Sequence, residues 1–211
     1  RSIQSTRRLV KNCAEWIVRL TRLDLVVEGE ENLIDGSSIL VANHASYTDP
    51  MVLAAALPAD FAFVAKKELK YIPFAGYVLG KIGTHLVDRK DPRKGADDFN
   101  KIMKSSKEND SIIFFPEATF LKEEGLLKFK KGAFLTAVKS QVPVVPITIN
   151  GSRKLLRSES WLPENVQLKV TIHPPIPTDH PEMELREIME EARQKILSNL
   201  GEPDLRTRSF Q

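Results

Sequence analysis

Cysteine is almost missing from this chain. Cys13 stands alone among 211 residues, which excludes an internal disulfide framework and a cysteine-based zinc site and reads as a reducing compartment or as a secreted protein without disulfides. Long apolar runs are missing too: Met51–Leu57 and Val142–Ile149 fall far short of the ~20 residues that a spanning helix needs. No signal pattern of charged head, apolar stretch and small-residue exit is present. Excess charge is also lacking. Against 28 Asp and Glu stand 31 Lys and Arg, a net +3, well below what announces a nucleic-acid partner. His85, His173 and His180 are scattered without ligand spacing, so no metal is expected.

What is present suffices for a core. Hydrophobic residues make up 42% and charged residues 28%, which excludes disorder and low-complexity scaffolds. No internal repeat or flexible linker divides the chain, so residues 1–211 are expected to form one domain. A first residue of Arg1 reads as a processed chain or a segment of a longer one.

Apolar periodicity alternates along the chain. Strands are expected at Leu25–Val27, Ser38–Val41, Phe61–Ala65, Thr84–Val87, Ser111–Phe115, Val144–Ile149 and Val166–His173. Helices are expected from Asp49-Pro50 to Leu57, then at Phe74–Lys81, Gly95–Lys104, Gly132–Lys139 and Glu182–Leu200. Pro174, Pro175 and Pro177 read as a stiff, exposed connector. The alternation predicts an α/β domain with a largely parallel or mixed sheet flanked by helices.

The segment Asn43-His44-Ala45-Ser46-Tyr47-Thr48-Asp49-Pro50 directly follows an apolar strand, where α/β sheets present reactive side chains. Pro50 suits a first helical position, which makes Asp49 the expected N-cap, with one oxygen on a helix N–H and the other on the His44 ring. Such a pair fixes the tautomer and lets the free ring nitrogen accept a proton from a hydroxyl. A loop histidine beside a helix-starting Asp-Pro also arises with no catalytic role.

Further blocks bear on that choice. Gly83-Thr84-His85-Leu86-Val87-Asp88-Arg89 ends an apolar strand in a guanidinium suited to clamping a phosphate. Phe115-Pro116-Glu117-Ala118-Thr119 follows another strand, then Phe129-Lys130-Lys131-Gly132-Ala133-Phe134 and Val142-Pro143-Val144-Val145-Pro146-Ile147. With the His-x4-Asp pair as the first of four blocks and Phe129–Phe134 following the third, they stand in the order and spacing of the glycerolipid acyltransferases. Over residues 43–147 the chain resembles the lysophosphatidic acid acyltransferase family.

The resemblance implies transfer of a fatty acyl group from acyl-CoA or acyl carrier protein to the free hydroxyl of a lysophospholipid, with no cofactor. His44 and Asp49 would be catalytic, and Arg89, Glu117, Thr119 and Lys130 would bind the acceptor. No Ser or Cys lies in a nucleophile elbow, so the hydroxyl would attack the thioester directly. Two positions depart from the family pattern. Ala118 stands where Gly is common, a small change wherever φ is negative. Phe120 stands where Arg is common, which removes a cation from the acceptor phosphate. The alternatives are a catalytically idle lipid- or acyl-carrier-binding module and a hydrolase.

Residues 6–20, within a segment 1–22 that precedes the motif-bearing core 38–150, read as an amphipathic helix. Leu9, Cys13, Trp16, Ile17 and Leu20 recur at helical spacing, with Arg7, Arg8, Lys11 and Arg19 beside them. Such a helix either packs that stripe on the core or lies on an anionic bilayer. A lipid acceptor favours the second, which predicts peripheral binding at the cytoplasmic face of a membrane.

Overall fold

The computed structural model describes residues 2–73, 75–88, 92–107, 111–155, 166–179 and 184–206. Seven strands form one sheet in the order β1-β7-β6-β2-β5-β3-β4. They are β1 (Asp24–Glu28), β2 (Ile39–Ala42), β3 (Phe61–Lys66), β4 (His85–Val87), β5 (Ser111–Phe114), β6 (Val144–Asn150) and β7 (Gln167–Ile172). β6, β2, β5, β3 and β4 run parallel, while β7 is antiparallel to β6 and carries β1 parallel to itself. The sheet is therefore mixed.

The helices are α1 (Ile3–Leu20), α2 (Asp49–Ala56), α3 (Ala75–Lys81), α4 (Pro92–Lys107), α5 (Gly132–Ser140), α6 (Ser152–Leu155) and α7 (Leu185–Leu200). The expected positions of all but the short α6 coincide with these, within a few residues at the ends. Phe74 and residues 182–183, the expected starts of α3 and α7, lie outside the described residues. In the proline connector Pro174 and Pro177 are exposed and Pro175 is half-buried, but the residue between Pro175 and Pro177 turns inward. Ile176 is fully buried and exchanges backbone hydrogen bonds with Val144, at 2.9 and 2.7 Å.

Alternate residues of each central strand feed opposite cores. Leu40 and Ala42 join α1 and α2 on one face, whereas Ile39 and Val41 join α4, α5 and α7 on the other. β2 leads into α2 and its neighbour β5 leads into α5, so their loops turn to opposite faces. A crevice opens at the strand ends where such loops part. His44 and Glu117 lie in these two loops.

α1 is a helix with its apolar stripe turned outward. Ser2 caps it, its Oγ accepting from the Ser5 N–H at 3.2 Å. Arg7, Ala14 and Val18 are the buried positions, not the Leu9–Trp16–Leu20 stripe. Trp16 is 61% and Leu20 74% exposed. Two cations expected at a lipid surface are used inside instead. Arg7 Nε donates to the Ile82 carbonyl at 2.8 Å, and Lys11 Nζ donates to the carbonyls of Ala55 and Leu57 at 3.1 and 3.0 Å. Both take up the end carbonyls of neighbouring helices, which lack partners within their own helix. Arg8 and Arg19 remain exposed.

Candidate active site

β2 ends at Ala42, and Asn43 locks the loop that follows. Its Nδ2 donates to the Ile149 carbonyl at 3.0 Å, and its Oδ1 accepts from the Ile149 N–H at 2.7 Å. This two-point tie to β6 fixes where His44 leaves the sheet. His44 Nδ1 donates to Asp49 Oδ2 at 2.8 Å. The same Oδ2 accepts from the backbone N–H groups of Ala45 and Ser46, each at 2.8 Å.

Asp49 therefore does not cap α2 as the sequence led us to expect. The N-cap position is Thr48, and no side-chain cap bond is made there. The Asp49 carboxylate turns back onto its own loop because three donors converge on one oxygen. Oδ1 is buried without a hydrogen-bond partner among the described residues. With Nδ1 donating to a carboxylate, the His44 tautomer leaves Nε2 as the basic nitrogen. The ring is 17% exposed and Asp49 is fully buried.

Glu117 takes up the other side of the loop. Its Oε1 accepts from the His44 backbone N–H at 2.6 Å and its Oε2 from the Leu127 N–H at 2.7 Å. Burial pushes its carboxyl up to about 8, against the opposing pull of those two N–H groups and of Arg193 and Arg153. Each carboxylate oxygen thus accepts from one backbone N–H. Arg193 of α7 extends the chain of contacts. It donates to the carbonyls of Leu127 and Leu126 at 2.6 and 2.8 Å and pairs with Asp204.

The turn that aims Glu117 inward has a cost. Ala118 adopts φ 65°, while its N–H donates to the Phe115 carbonyl at 3.0 Å. A Cβ in this left-handed region costs roughly 1 kcal/mol. Alanine in place of glycine is therefore not the neutral change it would be at negative φ.

Aromatic rings wall the histidine. Phe115 stacks on it with centroids 4.3 Å apart, and Phe120 meets its edge at 4.7 Å. Tyr47 in turn meets Phe120 at 4.7 Å. Where the family commonly places Arg, this chain sets a neutral ring against the base. Phe115 also lines an apolar cleft of about 570 Å³, with Val64, Val87, Phe99, Ile102 and Phe114. Lys130 lines that cleft too, and its side chain is exposed. Thr119 is exposed on the turn after Ala118. Arg89 lies outside the described residues. Among the described residues, no group of His, Cys, Asp and Glu has the arrangement of a metal site.

The structural roles of Asn43, Phe115, Phe120 and Arg193 were not read from the sequence. One signal was available for Arg193: it interrupts the apolar stripe Ile188–Ala192–Ile196 of a helix, a position that demands a buried partner.

Comparison with known proteins places the chain. The acyltransferase family model matches residues 24–150. A 1-acyl-sn-glycerol-3-phosphate acyltransferase of Saccharomyces cerevisiae is 33% identical over 91% of this chain and 68% of its own length. A chloroplastic 1-acyl-sn-glycerol-3-phosphate acyltransferase of Arabidopsis thaliana is 35% identical over 82% of this chain and 48% of its own. The chain thus spans about half the length of the chloroplastic relative. The crystal structure of the 1-acyl-sn-glycerophosphate acyltransferase PlsC from Thermotoga maritima superposes with a TM-score of 0.77 at 26% identity, covering 90% of this chain and 76% of that one. With the family model matched over more than half its length and a curated relative over nearly all of it, the chain belongs to the glycerolipid acyltransferase family, of the lysophosphatidic acid acyltransferase type.

Proposed function

We propose that the protein transfers a fatty acyl group from a thioester, acyl-CoA or acyl carrier protein, to the free hydroxyl of lysophosphatidic acid, giving phosphatidic acid. The observation that carries this reading is the His44–Asp49 pair at 2.8 Å, set beside an apolar cleft through the shared ring of Phe115.

In this mechanism His44 Nε2 takes the proton from the acceptor hydroxyl as its oxygen attacks the thioester carbon. Asp49 holds the ring and stabilises the imidazolium that forms. The tetrahedral intermediate collapses by breaking the C–S bond, and the imidazolium returns the proton to the leaving thiolate. A cleft of about 570 Å³ lies within the usual range of ligand sites, and its apolar walls suit the acyl chain. Lys130 and Arg89 are assigned to the acceptor phosphate. Phe120, being uncharged, cannot share in that charge recognition.

The acceptor is a lipid, and the exposed Leu9–Trp16–Leu20 stripe of α1 supports a peripheral seat on an anionic bilayer. No helix among the described residues is long and apolar enough to cross a membrane. The test is incubation with labelled acyl-CoA and a panel of lysolipids. Acylated lysophosphatidic acid supports the proposal. Free fatty acid would make the protein a hydrolase, and no turnover would make it a binding module.

A further inference from the structure

β3 ends at Lys66 on the same sheet edge from which β2 releases His44 and β5 releases Glu117. A 3-10 turn at Lys67–Tyr71 follows, and then α3. The two are locked together: the Gly76 N–H donates to the Ile72 carbonyl at 2.9 Å, and a Cβ on Gly76 would meet the Lys70 carbonyl oxygen at 2.1 Å. Only glycine permits that approach.

Four large side chains of this unit face outward. Tyr71 is 74% exposed, Tyr77 70%, Ile72 49% and Val78 39%. Each tyrosine carries a cation on its ring, Lys70 lying 4.7 Å from the Tyr71 centroid and Lys81 5.5 Å from that of Tyr77. Residues 66–81 hold Lys66, Lys67, Lys70 and Lys81 against the single acid Glu68. Exposed apolar clusters of this kind mark interaction surfaces. Tyrosine is the residue that sits with its ring in the boundary layer and its hydroxyl in water, and lysine stems reach from apolar surface to anionic headgroups.

We propose that Tyr71, Ile72, Tyr77 and Val78, rimmed by Lys66, Lys70 and Lys81, form a second bilayer-docking patch, separate from the outward stripe of α1. The patch commits to an anionic lipid surface because its positive charge complements that surface and its place at the catalytic edge is where a lipid acceptor arrives. It also adjoins the start of α1: a Cβ on Gly83, just after α3, would meet Ile3 side-chain carbons at 3.3 and 3.6 Å. Two apolar surfaces then give two-point attachment, which fixes the tilt of the catalytic edge as a single helix would not. This proposal rests on the membrane reading given above.

Its test separates the two. In a Cys13→Ser background, Ile72→Cys, Trp16→Cys and Ser198→Cys proteins each carry an environment-sensitive fluorophore. They are mixed with vesicles of phosphatidylcholine containing phosphatidylglycerol. The label at 72 is expected to shift to the blue, as is that at 16, while the label at 198 on α7 stays unchanged. Unlabelled Lys70→Glu and Lys81→Glu proteins are each expected to bind these vesicles about fivefold or more weakly. Tyr71→Ser with Tyr77→Ser is expected to slow turnover of vesicle-embedded acceptor and to leave turnover of a short-chain, water-soluble acceptor unchanged. A silent label at 72 beside a shifted label at 16 overturns the patch and leaves the α1 anchor standing. Silence at both overturns the membrane reading as well. A shift at 72 that follows protein concentration without vesicles reassigns the patch to a second copy of the chain.

Discussion

Glu117 holds His44 by its backbone: the carboxylate accepts from the His44 N–H at 2.6 Å while the His44 ring is held separately by Asp49. The base is thus fixed at two points, main chain by one acid and side chain by another. Glu117→Gln must place an amide –NH2 against one of two backbone N–H groups. A loss of kcat is expected with little change in the acceptor KM, and a fall in Tm accompanies it. A rise in the acceptor KM alone would instead assign Glu117 to acceptor binding.

For the dyad, His44→Ala is expected to lower kcat by ~10²–10⁴-fold in a protein that stays folded. Asp49→Asn retains an oxygen for the two loop N–H groups but cannot stabilise an imidazolium. It should lose most activity with only a modest fall in Tm, since Asp49 makes no helix cap. Circular dichroism beside the kinetics checks both. Near-normal turnover in folded His44→Ala protein would rule the mechanism out.

Two buried groups give the stability curve opposite slopes. Glu117 has a folded-state value near 8 against 4.5 unfolded, so the folded state binds its proton more tightly between those values. Its contribution is complete below about pH 4.5 and is lost as pH rises towards 8. Thermodynamic linkage makes that loss on the order of 5 kcal/mol. His173, which shares a 2.8 Å hydrogen bond with Thr148, is lowered by burial to about 4 from 6.5. Its contribution is complete above about pH 6.5 and is lost as pH falls towards 4. Denaturant unfolding across pH should show Glu117→Gln flattening the alkaline limb and His173→Gln the acid limb.

Ala118→Gly relieves a left-handed Cβ and is expected to stabilise the fold. The gain is roughly 0.5–1 kcal/mol after the added chain entropy of glycine in the unfolded state. Chemical denaturation reads it directly. A loss of stability would mean that the Cβ contributes packing worth more than the strain.

The two faces of α1 are expected to separate cleanly. Leu9→Ser with Trp16→Ser and Leu20→Ser should weaken binding to anionic vesicles without lowering Tm. Arg7→Ala leaves the Ile82 carbonyl without its charged donor and should lower Tm by an amount matching ~1–3 kcal/mol. Reversed outcomes would place the outward stripe against protein rather than lipid.

Arg89→Ala is expected to raise the KM for a phosphate-bearing acceptor more than that for the thioester. Initial rates with each substrate varied in turn decide it. A shift confined to the thioester would move Arg89 to the donor side.

The sequence by itself determined the alternation of strands and helices and the four blocks at the strand ends. These are local properties: apolar period, turn formers, and spacing along one chain. It therefore carried the pairing of His44 with Asp49, which stand five residues apart across one short loop and the start of α2. Strand order and the reversal of β7 depend on contacts between distant segments and came only from the tertiary structure. The same holds for the tie between Glu117 and His44, which meet only once β2 and β5 lie side by side. The α1 stripe shows the limit most directly. Periodicity located an apolar face, but which face is buried was decided by Arg7 and Lys11, whose long stems reach carbonyls at the ends of α3 and α2. The docked face carries those two cations beside Ala14 and Val18, which join the core, and leaves Trp16 and Leu20 facing outward.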